Sequence, residues 1–185
     1  MKKVLIALGV FLIAFLVIFF TLDYKSVDDY SLTNLEEISS DSETVTLSVS
    51  CETIFDNYDK LEDSLKESDV IPEDGVILPK TEYVLNDGDT VFDVLNRALK
   101  HNKIHFDYSG NPNSNMQPIY IKGISNIYEF DCGDLSGWMV SVNGEYLQMS
   151  CSNIVLKNGD NIECRYTCDL GKDVGDTYFT STPPN

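Results

Sequence analysis

The chain has 185 residues, with 13 basic against 30 acidic side chains and a formal net charge of −17 at pH 7. This length suffices for one ordinary domain with short extra segments and is too small for two well-formed cores. A surface with such an excess of carboxylates repels phosphate backbones, so the composition disfavours nucleic-acid binding.

The N-terminus is the most apolar part of the sequence. Residues 4–20 carry no charge and follow Lys2 and Lys3. As a helix this run would span about 26 Å at about 1.5 Å per residue, close to the hydrocarbon thickness of a bilayer. Because no small-residue cleavage pattern follows it, residues 1–22 are predicted to be an uncleaved single-pass anchor; the alternative is a signal segment whose cleavage releases a secreted domain. The two lysines place the remainder outside the cytoplasm.

An acidic, serine-rich segment follows at residues 23–43 and has few apolar positions. Too little apolar area is available to offset the entropy of ordering it, so it is predicted to be a flexible linker. The pattern changes at Thr44, where apolar residues begin to alternate with Thr and Ser, as in a strand with one buried face. The residues predicted to share that face are Val45, Leu47, Val49 and Cys51.

A short helical turn is predicted over residues 59–67, where Leu61 and Leu65 share a face, and a short strand at residues 83–85. The clearest helix of the domain begins after Thr90. This threonine is a plausible N-cap, and Asp93 lies three residues on, where a carboxylate suits a helix N-terminus. The apolar stripe expected to pack on a sheet comprises Val91, Val94, Leu95, Ala98 and Leu99.

A hairpin is predicted around Trp138, the only tryptophan in the sequence. Residues 138–142 alternate as in a half-buried strand, and Asn143-Gly144 suits a tight two-residue turn, after which residues 145–149 would return antiparallel. Cys132 and Cys151 bracket this hairpin. If they pair, they make it a rigid platform for Trp138.

The last predicted strand is NIECRYTC at residues 161–168, and the folded domain is expected to span residues 44–176, with a disordered tail at 177–185. One main helix among runs of short strands indicates an α+β fold. His101 and His105 lie four residues apart, but helix capping accounts for them better than a metal site. The sequence shows no Ser-His-Asp series and no phosphate-binding loop in the context that catalysis needs, so no catalytic residues are predicted.

Five segments occur in an order that resembles a known family: VSCETI, IPEDGVIL, LNDGDTVFDVL, EFDCGDLSGWMVSVNG and LKNGDNIECRYTCDLGKDVG. Together they resemble the bacterial, DUF4430-type domain related to the C-terminal β-domain of transcobalamin and intrinsic factor. The resemblance implies a β-grasp-like fold of the soluble-ligand-binding kind, with a mixed sheet packed on one main helix, here preceded by an N-terminal transmembrane helix. In the vitamin carriers this domain covers one face of the corrinoid, while a separate helical barrel holds the other.

The resemblance also implies a binding site. Trp138 matches the tryptophan on the strand that faces the corrin ring in the carriers, although such a residue also serves as a half-buried packing tryptophan. Tyr146, across the turn, would extend the aromatic platform or merely cover the hairpin. The full set of residues predicted to bind ligand is Ser136, Gly137, Trp138, Met139, Asn143 and Tyr146.

Outside the cytoplasm the five cysteines can form at most two disulfides, and one thiol is left over. The resemblance implies that the first and last strands lie side by side and parallel, which would bring Cys51 to Cys168. The predicted bridges are therefore Cys51 with Cys168 and Cys132 with Cys151. Cys164 would be the odd thiol, buried on the sheet as a small hydrophobe.

These features predict a non-catalytic, membrane-tethered module outside the cytoplasm that binds a soluble ligand. A corrinoid such as cobalamin is the best-motivated ligand, stacked on the Trp138 hairpin; no metal and no other cofactor is predicted. Its partners would be the membrane, through residues 4–20, and an uptake system or cell-surface protein that receives the ligand. The alternative is a cell-surface domain that recognises protein or wall polymer and binds no small molecule.

Overall fold

The structure is a computed structural model that describes residues 38–114 and 116–177. The predicted membrane anchor, most of the predicted linker and the predicted C-terminal tail from residue 178 onward lie outside these ranges. Within them, no helix is long and apolar enough to cross a bilayer.

The domain begins with strand β1, Thr44–Ser50, whose alternating residues are buried as predicted. Two short helices follow, α1 at Thr53–Asp56 and α2 at Asp63–Lys66, with a 3-10 turn at Tyr58–Lys60 between them. The helical turn predicted over residues 59–67 is therefore divided. Leu61 adopts an extended backbone and is buried, which separates the two pieces.

Strand β2 covers Val76–Val84 and pairs antiparallel with β1. It is longer than the predicted strand at residues 83–85, because the apolar run after Gly75 belongs to it. Helix α3 follows at Val91–His101, and the predicted N-cap at Thr90 is confirmed. The Thr90 hydroxyl accepts from the Asp93 backbone N–H at 3.3 Å, and the Asp93 carboxylate accepts from the Thr90 N–H at 2.9 Å. This reciprocal capping box fixes the start of the helix.

Six further strands follow in the described ranges, and three of them overlap the predicted hairpin and the predicted last strand. The six are β3 at Phe106–Ser109, β4 at Tyr120–Ile124, β5 at Ile127–Tyr128, β6 at Gly137–Val142, β7 at Glu145–Tyr146 and β8 at Asn161–Thr167. Further 3-10 turns lie at Cys151–Asn153 and Lys172–Val174.

Across the described ranges, the strands form one five-stranded sheet in the order β2-β1-β8-β6-β7 and one three-stranded sheet in the order β3-β4-β5. The first and last strands, β1 and β8, are parallel neighbours, as the family resemblance implied. The other pairings are antiparallel. Sheets that combine parallel and antiparallel pairs with one main helix confirm the α+β class.

In the described part of the chain, buried apolar residues form two clusters. The first lies between helix α3 and the five-stranded sheet and includes Leu95, Val49, Ile162 and Cys164. The second lies under helix α1 and comprises Cys51, Ile54, Leu61, Ile127, Cys132, Tyr166 and Cys168. Trp138 packs against both clusters, so the tryptophan marks the boundary between them.

Tyr166 occupies the centre of the second cluster and is fully buried. Its hydroxyl donates to the Tyr128 carbonyl oxygen at 2.7 Å and lies 2.9 Å from the Ser136 hydroxyl. The Tyr166 carbonyl oxygen accepts from the Thr53 hydroxyl at 2.6 Å. Through its hydroxyl and its backbone carbonyl, one residue of β8 therefore connects α1, β5 and the loop before β6.

Removing this hydroxyl should destabilise the fold. We expect Tyr166→Phe to lower the free energy of unfolding by about 1–3 kcal/mol, because the half-buried Tyr128 carbonyl and the buried Ser136 hydroxyl each lose a partner. Urea denaturation measures the loss. Tyr146→Phe is the matched control, since the Tyr146 hydroxyl also donates to a carbonyl, that of Val174 at 2.9 Å, but from a half-buried side chain. Equal losses in the two variants would contradict a central role for Tyr166.

Candidate functional site

The predicted hairpin is present and its turn is as expected. Asn143 and Gly144 have φ values of +54° and +85°, the left-handed conformation that a tight two-residue turn requires at both positions. The return strand β7 is shorter than predicted and ends at Tyr146, although the Leu147 N–H still donates to the Val140 carbonyl oxygen. Trp138 lies near the start of β6, at the end of the strand far from the turn.

The indole of Trp138 is held in one orientation by its neighbours. Its Nε1 donates to the Ile127 carbonyl oxygen at 2.9 Å, and its ring meets that of Tyr166 edge-on, with centroids 5.2 Å apart and planes at 70°. Next to it, the Met139 sulfur packs against Gly171, where an added Cβ would come within 2.6 Å of it. Trp138 and Met139, whose side chains leave β6 on opposite faces, are thus both held by their neighbours and form a wall along this part of the strand.

Two clefts share this wall and also share Tyr120 on β4. The first cleft has a volume of about 380 Å³, and its other apolar lining residues include Ile119, Ile121, Leu147, Met149 and Cys151. The second cleft has a volume of about 250 Å³ and is further lined by Phe130, Asp134, Leu135, Ser136, Thr167 and Leu170. Both clefts are bounded mainly by apolar side chains, with Trp138 between them.

The rim of the second cleft exposes large apolar side chains to solvent. Phe130 is 57% exposed, Leu135 45% and Leu170 43%. Phe130 and Leu170 also have φ values of +72° and +47°, a region that bulky residues adopt at an energetic cost. The Phe130 N–H donates to the Ser136 carbonyl, and the Leu170 N–H to the Leu135 carbonyl. Exposed apolar residues on strained backbone are typical of binding surfaces.

Sequence reasoning did not identify Phe130, Leu135 and Leu170 as site residues. In the sequence, the feature that could have indicated them is that each is a large apolar residue within a loop otherwise rich in Asp, Gly and Ser. Their proximity depends on the loop before β6 meeting the loop after β8. The second loop is ordered by the Asp173 carboxylate, which accepts from the Thr167 hydroxyl and from the Cys168 N–H.

The residues predicted to bind ligand do not all lie together. Trp138 and Met139 line both clefts, while Gly137 and Ser136 line the second. Ser136 is buried, and its hydroxyl donates to the Gly133 carbonyl and accepts from the Cys132 N–H, so its polar groups are used within the fold.

Asn143 and Tyr146 serve the hairpin rather than the clefts. The Asn143 amide donates to the Asp160 carboxylate at 2.8 Å, and its oxygen accepts from the Asn161 N–H at 2.9 Å. These bonds tie the hairpin turn to the turn that precedes β8. The Tyr146 hydroxyl donates to the Val174 carbonyl oxygen. Neither residue lines either of the clefts beside Trp138.

The cysteines are not arranged as predicted. All five, within the described ranges, are buried free thiols, so neither Cys51–Cys168 nor Cys132–Cys151 is bridged. Cys132 and Cys151 lie in different core clusters, because the turn at Gly133 directs Cys132 beneath helix α1 while Cys151 packs near helix α3. The hairpin is therefore held by the hydrogen bonds of Trp138 and Asn143 and not by a Cys132–Cys151 staple.

Burial keeps these thiols protonated. It raises the pKa of Cys51 to about 12 and that of Cys151, in the first cleft, to about 11. Cys164 is fully buried, as expected from its place on the apolar face of β8, and burial raises its pKa as well. At neutral pH none of these three sulfurs is an activated nucleophile.

The histidines do not form a metal site in the described structure. Helix α3 ends at His101, so His105 lies beyond it, and the His105 Nε2 is 2.9 Å from the Tyr128 hydroxyl. Among residues 38–114 and 116–177, no group of three or more His, Cys, Asp or Glu side chains could hold a metal ion.

Comparison with protein families gives a match for residues 88–167, to the family described as domain of unknown function (DUF4430). This match confirms the recognition made from the sequence motifs. It covers the chain from the turn before α3 to the end of β8 and so includes Trp138 and most of both clefts. No curated protein matches the chain.

Similar solved structures include haptocorrin in complex with Cbi, with 20% identity and a TM-score of 0.45. That match covers 73% of this chain and 27% of the haptocorrin chain, so the chain spans about a quarter of that protein. Another is a protein from Ruminococcus gnavus ATCC 29149, described provisionally as metal binding, with 16% identity and a TM-score of 0.40, covering 68% of this chain and 96% of that one.

Tyr120, shared by both clefts, donates its hydroxyl proton to the Glu129 carboxylate, and this bond raises the pKa of Tyr120 from 10 to about 12. Since the folded state keeps a proton that the unfolded state releases, folding stability should fall between pH 10 and about 12. Difference absorbance between the wild type and Tyr120→Phe isolates this phenol. Glu129→Gln should return its pKa towards 10, whereas Glu145→Gln, an exposed control, should not. An unchanged pKa in Glu129→Gln would contradict the assignment.

Proposed function

We propose that the domain of this chain that matches the DUF4430 family is a non-catalytic module that binds a small apolar ligand against Trp138 and Met139. The observation that carries the proposal is that these two residues, with Tyr120, line both of the clefts. The fixed orientation of the indole supports it, because a wall that is already ordered loses little entropy when a ligand binds.

The shape of the clefts favours a flat ligand with an apolar face. Their volumes of about 380 and 250 Å³ lie near the lower end of the range for small-molecule sites, about 300–1,000 Å³. A planar ligand can lie against β6 at Trp138 and Met139 and place a substituent in each cleft. Phe130, Leu135 and Leu170 would cover its edge, and burying their exposed area supplies binding free energy.

A corrinoid, cobalamin or cobinamide, is our candidate for the ligand. It is motivated by the resemblance of the SGWMVSVNG motif to the corrin-facing strand of the vitamin carriers, with Trp138 at the matching position. In the carriers a second domain covers the other face of the ligand. A domain that covers only one face of its ligand holds the ligand less tightly, which suits a module that passes the ligand to a partner protein.

We also propose that the ligand-binding domain lies outside the cytoplasm. Residues 4–20 would anchor the chain, Lys2 and Lys3 would remain inside, and residues 23–43 would tether the ligand-binding domain, of the β-grasp kind, to the membrane. In that position the module would receive a soluble ligand and present it to an uptake system or a cell-surface protein.

Binding can be tested with the full 185-residue chain in detergent micelles. Cobinamide and cobalamin should quench Trp138 fluorescence saturably, with a dissociation constant on the order of micromolar, as suits a half-enclosed site. N-acetyltryptophanamide titrated in the same micelles corrects for absorption by the corrinoid. Absence of saturable quenching up to high micromolar ligand would remove corrinoids as ligands and favour the alternative, a surface domain that recognises protein or wall polymer.

Variants locate the bound ligand. Trp138→Ala and Leu170→Ala should each weaken cobinamide binding about tenfold or more by calorimetry, because each removes a contact of the cleft wall or rim. Phe55→Ala is the matched control, since Phe55 is 45% exposed and lines neither cleft. Undiminished affinity in Trp138→Ala would place the ligand elsewhere on the domain.

A further inference from the structure

Two buried cysteines belong to the two loops that supply lining residues of the second cleft. Cys132 is in the loop before β6, between Phe130 and Asp134, and Cys168 follows β8, between Thr167 and Leu170. Four residues within two positions of these cysteines in the chain, Phe130, Asp134, Thr167 and Leu170, line the second cleft. One cysteine thus lies in each of the two loops that line this cleft.

The two thiols face each other inside the second core cluster. They share a hydrogen bond, which is among the influences on the pKa of each. Both also lie under a single turn of helix α1. The Cys168 Sγ is 3.8 Å from the Thr53 hydroxyl oxygen, the Cys132 Sγ is 3.4 Å from the Asn57 carbonyl oxygen, and the Asn57 amide donates back to the Thr53 carbonyl.

The third cysteine of this cluster is directed elsewhere. The parallel register aligns Ser50 of β1 with Arg165 of β8, which places Cys51 beside Tyr166, two residues before Cys168. Two residues along a strand correspond to about 6.6 Å. The Cys51 Sγ instead donates to the Gly75 carbonyl oxygen at 3.5 Å.

We propose that Cys132 and Cys168 form a disulfide that joins the two loops that line the second cleft. Bridge formation removes one proton and one electron from each thiol and forms one S–S bond. The electron acceptor is a disulfide, either of a small thiol compound or of a thiol-disulfide oxidoreductase. One cysteine attacks it, releases the first thiol and forms a mixed disulfide, and the other cysteine then displaces the second thiol. Two thiols leave for each bridge formed.

The bridge has a structural consequence for the cleft. The loop before β6 carries Phe130 and Leu135, and the loop after β8 carries Leu170. In the reduced protein the backbones of these two loops are joined by hydrogen bonds such as that from the Leu170 N–H to the Leu135 carbonyl. A covalent link between residues 132 and 168 fixes the separation of these loops. The cleft should therefore be more rigid in an oxidising compartment than after reduction, whether or not a ligand is bound.

The linkage is tested by refolding the reduced, full-length chain in detergent micelles with a mixture of reduced and oxidised glutathione. Peptide mapping under non-reducing conditions should find residue 132 joined to residue 168 as the main bridge. The midpoint of thermal unfolding should rise by about 10 °C over the reduced protein, because the cross-link restricts the unfolded chain. A main bridge that joins Cys51 to Cys168 or Cys132 to Cys151, or no bridge, would overturn the proposal.

Serine variants separate the cross-link from other effects of oxidation. Cys132→Ser and Cys168→Ser should each abolish the rise in the unfolding midpoint, whereas Cys51→Ser, from the same buried cluster, should retain it. If a serine variant fails to fold, mapping of the wild type still decides which cysteines pair. A full rise in the midpoint of folded Cys132→Ser would count against the assignment.

The effect on the cleft has a readout that needs no ligand. Amide hydrogen exchange through local opening of residues 129–136 and 169–174 should slow about tenfold on oxidation, whereas exchange in helix α3, which requires global unfolding, should slow only as the overall stability rises. Equal exchange in both redox states would show that the bridge does not stiffen the cleft. Failure of corrinoids to bind would leave the mapping and exchange results intact, so the two proposals can be judged separately.

Discussion

The buried phenol of Tyr166 is the constraint on which the rest of the site depends. A hydroxyl removed from water must find partners inside the protein, since an unpaired one costs free energy. Tyr166 finds them at the Tyr128 carbonyl and the Ser136 hydroxyl. These contacts fix the end of β5 and the loop before β6. They also hold the Tyr166 ring against which Trp138 packs. The orientation of the tryptophan therefore depends on the hydrogen bonds of the Tyr166 hydroxyl.

The clefts are a consequence of that arrangement. Because β6 lies between β8 and the short β7, its first residues are covered on one side by the loop after β8 and on the other by β4. Trp138 and Met139 occupy this position, where the five-stranded sheet meets the smaller one. The local strain at Phe130 and Leu170 is tolerated because backbone hydrogen bonds and the Asp173 carboxylate hold their loops. These hydrogen bonds thus keep the apolar side chains of Phe130 and Leu170 exposed to solvent.

Charge and redox chemistry act on this surface in different ways. The chain is strongly acidic, yet the lining of both clefts is mainly apolar, so most of the excess negative charge lies outside the clefts. The thiols of Cys132 and Cys168 are protonated and shielded by burial. Oxidation of these thiols is therefore slow in the folded protein. We expect the bridge to form during folding, before the two cysteines are buried.

The sequence by itself determined the features that depend on residues close along the chain. The stripe of α3, the capping box at Thr90, the alternation in β1 and the Asn143-Gly144 turn are local patterns, and periodicity and backbone preference suffice to identify them. The sequence also singled out Trp138. Only the tertiary structure decided which cysteines meet, where Asn143 and Tyr146 bond, and that loop residues on both sides of β6 complete the clefts. Those facts depend on strand register and on the direction in which each loop turns, and neither is encoded in any short stretch of residues.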